Sequence, residues 1–149
     1  MSDAAMTGRF DGKTFLWPVR IYYEDTDLSG VVYHANYLRY MERARTEFFR
    51  AIGLSAAYLD DADPAAWALR KVAVEYLRPA KFNDLLDVRT TVVGLSGVRL
   101  EADQTIWRGS EQLTQGAVQA CIISLSGKPK RIPPAIRDKI LPFLSETVA

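Results

Sequence analysis

Between Tyr22 and Phe49 the chain reads YYEDTDLSGVVYHANYLRYMERARTEFF, and the residues with chemical reach are Asp25, Asp27 and His34, the only histidine. Asp27 precedes His34 by seven residues, with a Ser-Gly turn between them and a helical pattern beginning just after. Acyl transfer is one chemistry that suits this order. A carbonyl under attack gathers negative charge on its oxygen, and the unpaired N–H groups at a helix start are suited to hold that charge. A carboxylate on the preceding loop can then attack the carbonyl itself or act as general base for water. A thioester fits so sparse a site, because a thiolate leaves readily. The plainer alternative makes Asp25 and Asp27 turn residues and His34 a capping or core histidine. A metal site lacks ligands: one His, no Cys pair, and a spacing that matches no zinc or calcium loop. Residue types and spacing leave the acyl-transfer and turn readings both open.

Other chemistries find less support. There is no Gly-x-Ser-x-Gly elbow and no Gly-rich phosphate loop. The lone Cys121 sits inside an apolar run, reads as an inert buried residue, and excludes an internal disulfide. Lys128–Arg131, Arg70, Lys71 and Arg78 read first as solvated charges and second as contacts to a phosphorylated ligand. A net charge of +1 gives no footprint for nucleic acid or an anionic membrane. No basic-then-apolar leader opens the chain and no stretch approaches the roughly 20 apolar residues that span a bilayer. A cytoplasmic location is the expectation.

The elements that must position these residues follow from periodicity. Residues 1–16 read as a flexible N-terminal arm, and residues 17–149 as a single domain. PVRIYYE alternates as a strand with Pro18 at its first position, followed by the turn cluster DTDLSG. From Asn36, a plausible N-cap, Tyr37, Met41, Ala44, Phe48 and Ile52 recur at helical spacing, and Gly53 ends a helix over roughly 36–52. Arg43 and Glu47 form an i,i+4 pair on its outer side. A loop around Asp60–Pro64 follows. KVAVEYLR, LLDVRTTVVGL, VRLEADQTIW and LTQGAVQACIISL read as four strands. The Ser96–Gly97 and Arg108–Glu111 links are short enough to force antiparallel pairing. Residues 135–141 read as a short terminal helix. One long helix with so wide an apolar stripe must bury it on the sheet, which implies α+β, a curved antiparallel sheet wrapped around one long central helix.

YYEDTDLSGVVYHANYLRYMERARTEFF and RKVAVEYLRPAKFND together resemble the signature of hotdog-fold acyl-CoA thioesterases of the 4-hydroxybenzoyl-CoA thioesterase family, in the branch associated with the Tol-Pal envelope system. The resemblance covers roughly residues 18–125. It implies the hotdog fold, hydrolysis of an acyl-CoA thioester to free acid and thiol, no cofactor, and a homodimer or homotetramer with sites at the subunit interface. It places Asp27 at the catalytic carboxylate and His34 where a helix-entry amide polarises the carbonyl. Tyr23 matches a tyrosine near the carboxylate, and Asp25 takes a supporting role. DLSG departs from the commoner turn of the family, so Leu28 and Ser29 bear on the acyl pocket. An acyl carrier protein stays open as the acyl donor. The alternatives are a non-catalytic hotdog module that binds acyl-CoA or acyl carrier protein and, further off, a dehydratase-type enzyme.

Overall fold

Alternation becomes burial most plainly in the LLDVRTTVVGL segment, where Leu86, Val88, Thr90 and Val92 are all buried and their neighbours are not. In the computed structural model, which describes residues 8–54 and 64–145, this is one strand of a seven-stranded sheet. The strands are β1 (Arg9–Asp11), β2 (Thr14–Arg20), β3 (Ala65–Tyr76), β4 (Leu85–Leu95), β5 (Arg99–Arg108), β6 (Glu111–Ser124) and β7 (Pro129–Lys130). Their order is β1-β2-β4-β5-β6-β3, with β7 on β6, and every pairing is antiparallel. Helix α1 (His34–Ala51) lies on the inner face, and the short α2 (Pro134–Ile140) closes the far end of the core. The α+β hotdog architecture expected from the sequence is the one observed.

The helix stripe lands as its spacing requires: Tyr37, Tyr40, Met41, Ala44 and Phe48 are buried. Gly116 of β6 lets Met41 sit this close, since a Cβ there would meet Met41 Cε at 2.7 Å and Gln104 O at 2.8 Å. Beneath the helix, Gln104 is fully buried, donating to Met41 O and Thr90 Oγ1 and accepting from Arg45 Nη1. A buried amide so fully engaged ties α1 to β4 and β5 in one register.

Five expectations change. The loose arm gives way over residues 9–16, where β1 and β2 form a hairpin with Gly12 at φ +61 in its turn. Its rings join the core, with Phe15 1% exposed and Phe10 packed on Phe15, Phe48 and Phe143. Three-residue strands carry too little alternation to be seen in sequence. Pro18 sits inside β2, not at its start, at a level that β1 no longer reaches. The YYE end of PVRIYYE leaves the sheet and closes a 3-10 turn, Tyr23–Asp25. Glu47 pairs with Arg50, not Arg43. The strand read as KVAVEYLR, β3, starts six residues early, at Ala65 rather than Lys71. Most of the Asp60–Pro64 loop lies outside the described residues. Among the described residues no helix is long and apolar enough to cross a membrane.

Candidate active site

The chain reaches α1 through a small closed loop. Asp25 organises its start: a side-chain oxygen caps Tyr22 N at 2.7 Å, and its carbonyl accepts from Tyr33 N at 3.0 Å and Asn36 Nδ2 at 2.9 Å. Asn36 is therefore not the N-cap. Tyr33 is, with no side-chain cap, and the helix begins at His34. Asn36 instead ties the helix back to the loop, accepting from Arg39 Nη1 in addition. Thr26 and Val32 bridge across the loop, Asp27 N donates to Val31 O, and Gly30 at φ +83 turns the chain. Another residue at that φ would be strained.

Asp27 is exposed in the single chain, and one carboxylate oxygen accepts from both the hydroxyl and the backbone N–H of Ser29. The hydroxyl first and the amide second hold its pKa below the ordinary carboxylate value, with a smaller contribution from His34. Asp27 is thus an ionised, oriented acceptor. Leu28, beside it, points fully into solvent.

His34 opens the helix. Because Tyr33 offers no capping side chain, the N–H groups of His34 and Ala35 have no acceptor among the described residues, which leaves them available to an incoming oxygen. The His34 carbonyl is fixed from the other side: Tyr76 Oη, at the end of β3, donates to it at 2.9 Å. Tyr37 Oη accepts from Ala80 N at 2.9 Å and pins the loop after β3 to the same turn of helix. Val32, His34, Tyr37, Tyr76 and Pro79 line a cavity of about 250 Å³. Asp27 lies on the other side of the loop, beside a cavity of about 390 Å³ walled by Asp25, Asn36, Arg39 and Tyr40. The Tyr40 hydroxyl is buried with no partner in hydrogen-bonding geometry among the described residues. Burial, then the nearby Asp25 carboxylate, raises its pKa, so it stays protonated.

Of the three residues expected at the site, Asp27 and His34 flank one loop. Tyr23 does not join them: its side chain is 82% exposed and its ring packs edge-on to Phe82, 6.3 Å away. Its backbone carbonyl serves the loop by accepting from Thr26 N and Oγ1. Tyr76, Tyr37 and Asn36 were not read as site residues from the sequence, where Asn36 figured only as an N-cap and Tyr37 as part of the apolar stripe. The signal for Tyr76 was present in the strand parity but uninterpretable without knowing that β3 ends beside the helix start. Arg78, read as a solvated charge or a phosphate contact, pairs with Glu111 at 3.0 Å. Among the described residues no group of three or more His, Cys, Asp or Glu side chains is gathered as a metal ion would need.

A sheet wrapped on one long helix, with a carboxylate loop leading into open helix amides, defines a hotdog protein of the thioesterase type. The chain belongs to the thioesterase-like superfamily, which it matches over residues 22–140. It is 41% identical over 124 residues to the acyl-CoA thioester hydrolase YbgC of Escherichia coli O6:H1, covering 82% of this chain and 92% of that one. It is 37% identical to the acyl-CoA thioesterase YbgC of Haemophilus influenzae, covering 83% and 91%. A probable thioesterase of Bartonella henselae has a similar solved structure, with a TM-score of 0.75 at 37% identity over 80% of this chain and 98% of that one. The family resemblance read from the Tyr22–Phe49 segment is borne out.

Proposed function

We propose that this protein hydrolyses acyl-CoA thioesters to a free acid and coenzyme A. The observation that carries the reading is the junction of the loop with α1, where an ionised carboxylate held by Ser29 precedes two helix amides that have no acceptor among the described residues. The thioester oxygen rests on the amides of His34 and Ala35, where the helix dipole favours the charge it gains in the transition state. Asp27 activates water or attacks the carbonyl directly, and the thiolate leaves without needing a strong acid. The His34 imidazole orients water or substrate. Tyr76 sets the helix start in place. The reading uses no cofactor, since coenzyme A arrives as part of the substrate. The chain works in the cytoplasm. It acts as a homodimer or homotetramer, which is supported by the outer edge of β3, unpaired among the described residues, with its row of backbone donors and acceptors.

The test is Asp27→Asn, measured by steady-state hydrolysis of a graded series of acyl-CoAs. The variant should fold normally and lose about 10²- to 10⁴-fold in kcat. Wild-type turnover by Asp27→Asn on every acyl-CoA that the parent cleaves would refute the assignment.

A further inference from the structure

Alongside α1 the molecule leaves an apolar trough. Leu38, Arg45 and Phe49 recur at seven and then four residues and so share one helical face, and Phe49 stacks on Trp67 at 5.2 Å, which turns that face toward β3. On the strand, Trp67 and Leu69 look inward. After the bulge between Leu69 and Lys71, Val72 and Tyr76 do the same, the latter reaching His34 O. These inward residues are not covered: Leu38 is 38% exposed, Leu69 49%, Val72 37% and Tyr76 47%. The reason is the helix placement, since α1 packs on β2 and β4 and leaves the β3 side open.

One end of the trough is the His34 cavity. The other is a cavity of about 510 Å³ walled by Phe49, Leu54, Trp67, Leu69 and Leu100, with Arg45 in its floor. Arg45 is an unusual residue for such a place. It spends one guanidinium donor on Gln104 Oε1 at 2.8 Å and pairs with no carboxylate among the described residues. Glu42 on the rim is engaged instead by Thr46 Oγ1 at 3.1 Å. Burial lowers the Arg45 pKa, and the nearby Glu42 carboxylate offsets part of that effect. The indole N–H of Trp67, on the same wall, is buried with no acceptor among the described residues. Arg45 keeps guanidinium donors to spare at this largely apolar cavity, and they suit an acceptor supplied from outside the chain.

We infer that the acyl group lies along the α1–β3 trough and carries a hydrogen-bond acceptor, best a carboxylate, that docks on Arg45 at its far end. This rests on the hydrolase reading above and names the substrate class of that site. The helix rise sets His34 and Arg45 about 16 Å apart along the axis, and an arginine leaning toward the helix start narrows the gap to roughly 10 Å, the span of about eight carbons.

The experiment compares octanedioyl-CoA with octanoyl-CoA, matched in length and differing only at the tail, on the full chain. Wild-type kcat/KM should favour octanedioyl-CoA by about tenfold or more, and Arg45→Met should reduce that ratio by about 10- to 100-fold, with Arg45→Lys between them. Arg45→Lys keeps a cation that can still donate to Gln104 and covers the case in which Arg45→Met fails to fold. A wild-type preference for octanoyl-CoA, or a ratio that none of the variants moves, overturns the inference while leaving hydrolysis intact. A change of oligomeric state in Arg45→Met with the ratio unmoved also overturns it, and assigns the trough to a second copy of the chain. If neither thioester is cleaved, the hydrolase reading fails by itself. Calorimetric Kd values for the two thioesters on Asp27→Asn then decide the trough separately: tighter octanedioyl-CoA binding supports it, and equal binding overturns it.

Discussion

The two ends of α1 are built on opposite principles. At its C-terminal end, Phe48 meets Phe10, Phe15, Phe49 and Phe143 with ring centroids 5.5 to 6.1 Å apart. The last carbonyls there are taken up by the amides of Ile52, Gly53 and Leu54, with Gly53 at φ +90. At its N-terminal end no side chain caps the helix. Rings pack there too, Tyr33 on His34 at 4.6 Å and Tyr37 on Tyr76 at 5.4 Å, but the residues around it are also fixed by hydrogen bonds of Asn36, Tyr37 and Tyr76. One end uses its backbone groups for stability. The other leaves them free and fixes their position from outside. A helix terminus can hold a reacting oxygen only if nothing in the protein has claimed it, so the packing that anchors the helix belongs elsewhere.

The largest expected effect breaks the aromatic end. Phe48→Ala should lower stability by about 3–5 kcal/mol, read from urea denaturation, because the cavity it leaves is walled by a hairpin and two helices that cannot all collapse. The fraction still folded should keep its kcat. A loss of kcat larger than the loss of folded protein would mean that the two ends are not separable.

The next prediction isolates the amide. Proline is tolerated at the first helical position, and Tyr33 before it, at φ −61 and ψ 131, already has the backbone a pre-proline residue prefers. His34→Pro therefore deletes the amide hydrogen without unwinding the helix, and His34→Ala deletes only the imidazole. Relative to His34→Ala, His34→Pro should lose a further 10²- to 10³-fold in kcat, about 3–4 kcal/mol, at similar Tm. Equal kcat in the two variants would remove the His34 amide from the mechanism.

The smallest effect is a shift in pH. Ser29 holds the Asp27 pKa down by favouring the carboxylate, so Ser29→Ala should raise it. Activity needs the ionised acid, and the acid limb of kcat/KM against pH should move to higher pH. A limb that stays in place or moves down would show that another group sets it.

How much was legible beforehand follows from which interactions are local. The α1 stripe, the β4–β5 and β5–β6 hairpins and the Asp27–Gly30 turn rest on periodicity and turn chemistry within a few residues, and each was read near its observed position. Asn36 was misread because an Asn before an apolar run has the form of an N-cap, whereas the bond that claims it comes from Asp25 O, eleven residues back. Phe10 and Phe15 were lost in an arm that looks aperiodic. Their partners, Phe48 and Phe143, lie far along the chain.

From the order of residue types alone came the class of fold, the loop that bears a carboxylate, the helix it leads into and the family likeness, because each is written in short-range pattern. Only the folded chain showed that Tyr23 packs on Phe82 in solvent, that Tyr76 holds the His34 carbonyl and that Arg45, donating to Gln104, stands in a largely apolar wall. Those facts depend on which strand ends beside which turn of helix, and the pairing of β3 with β6, some 50 residues apart in places, is a tertiary outcome that no local pattern encodes.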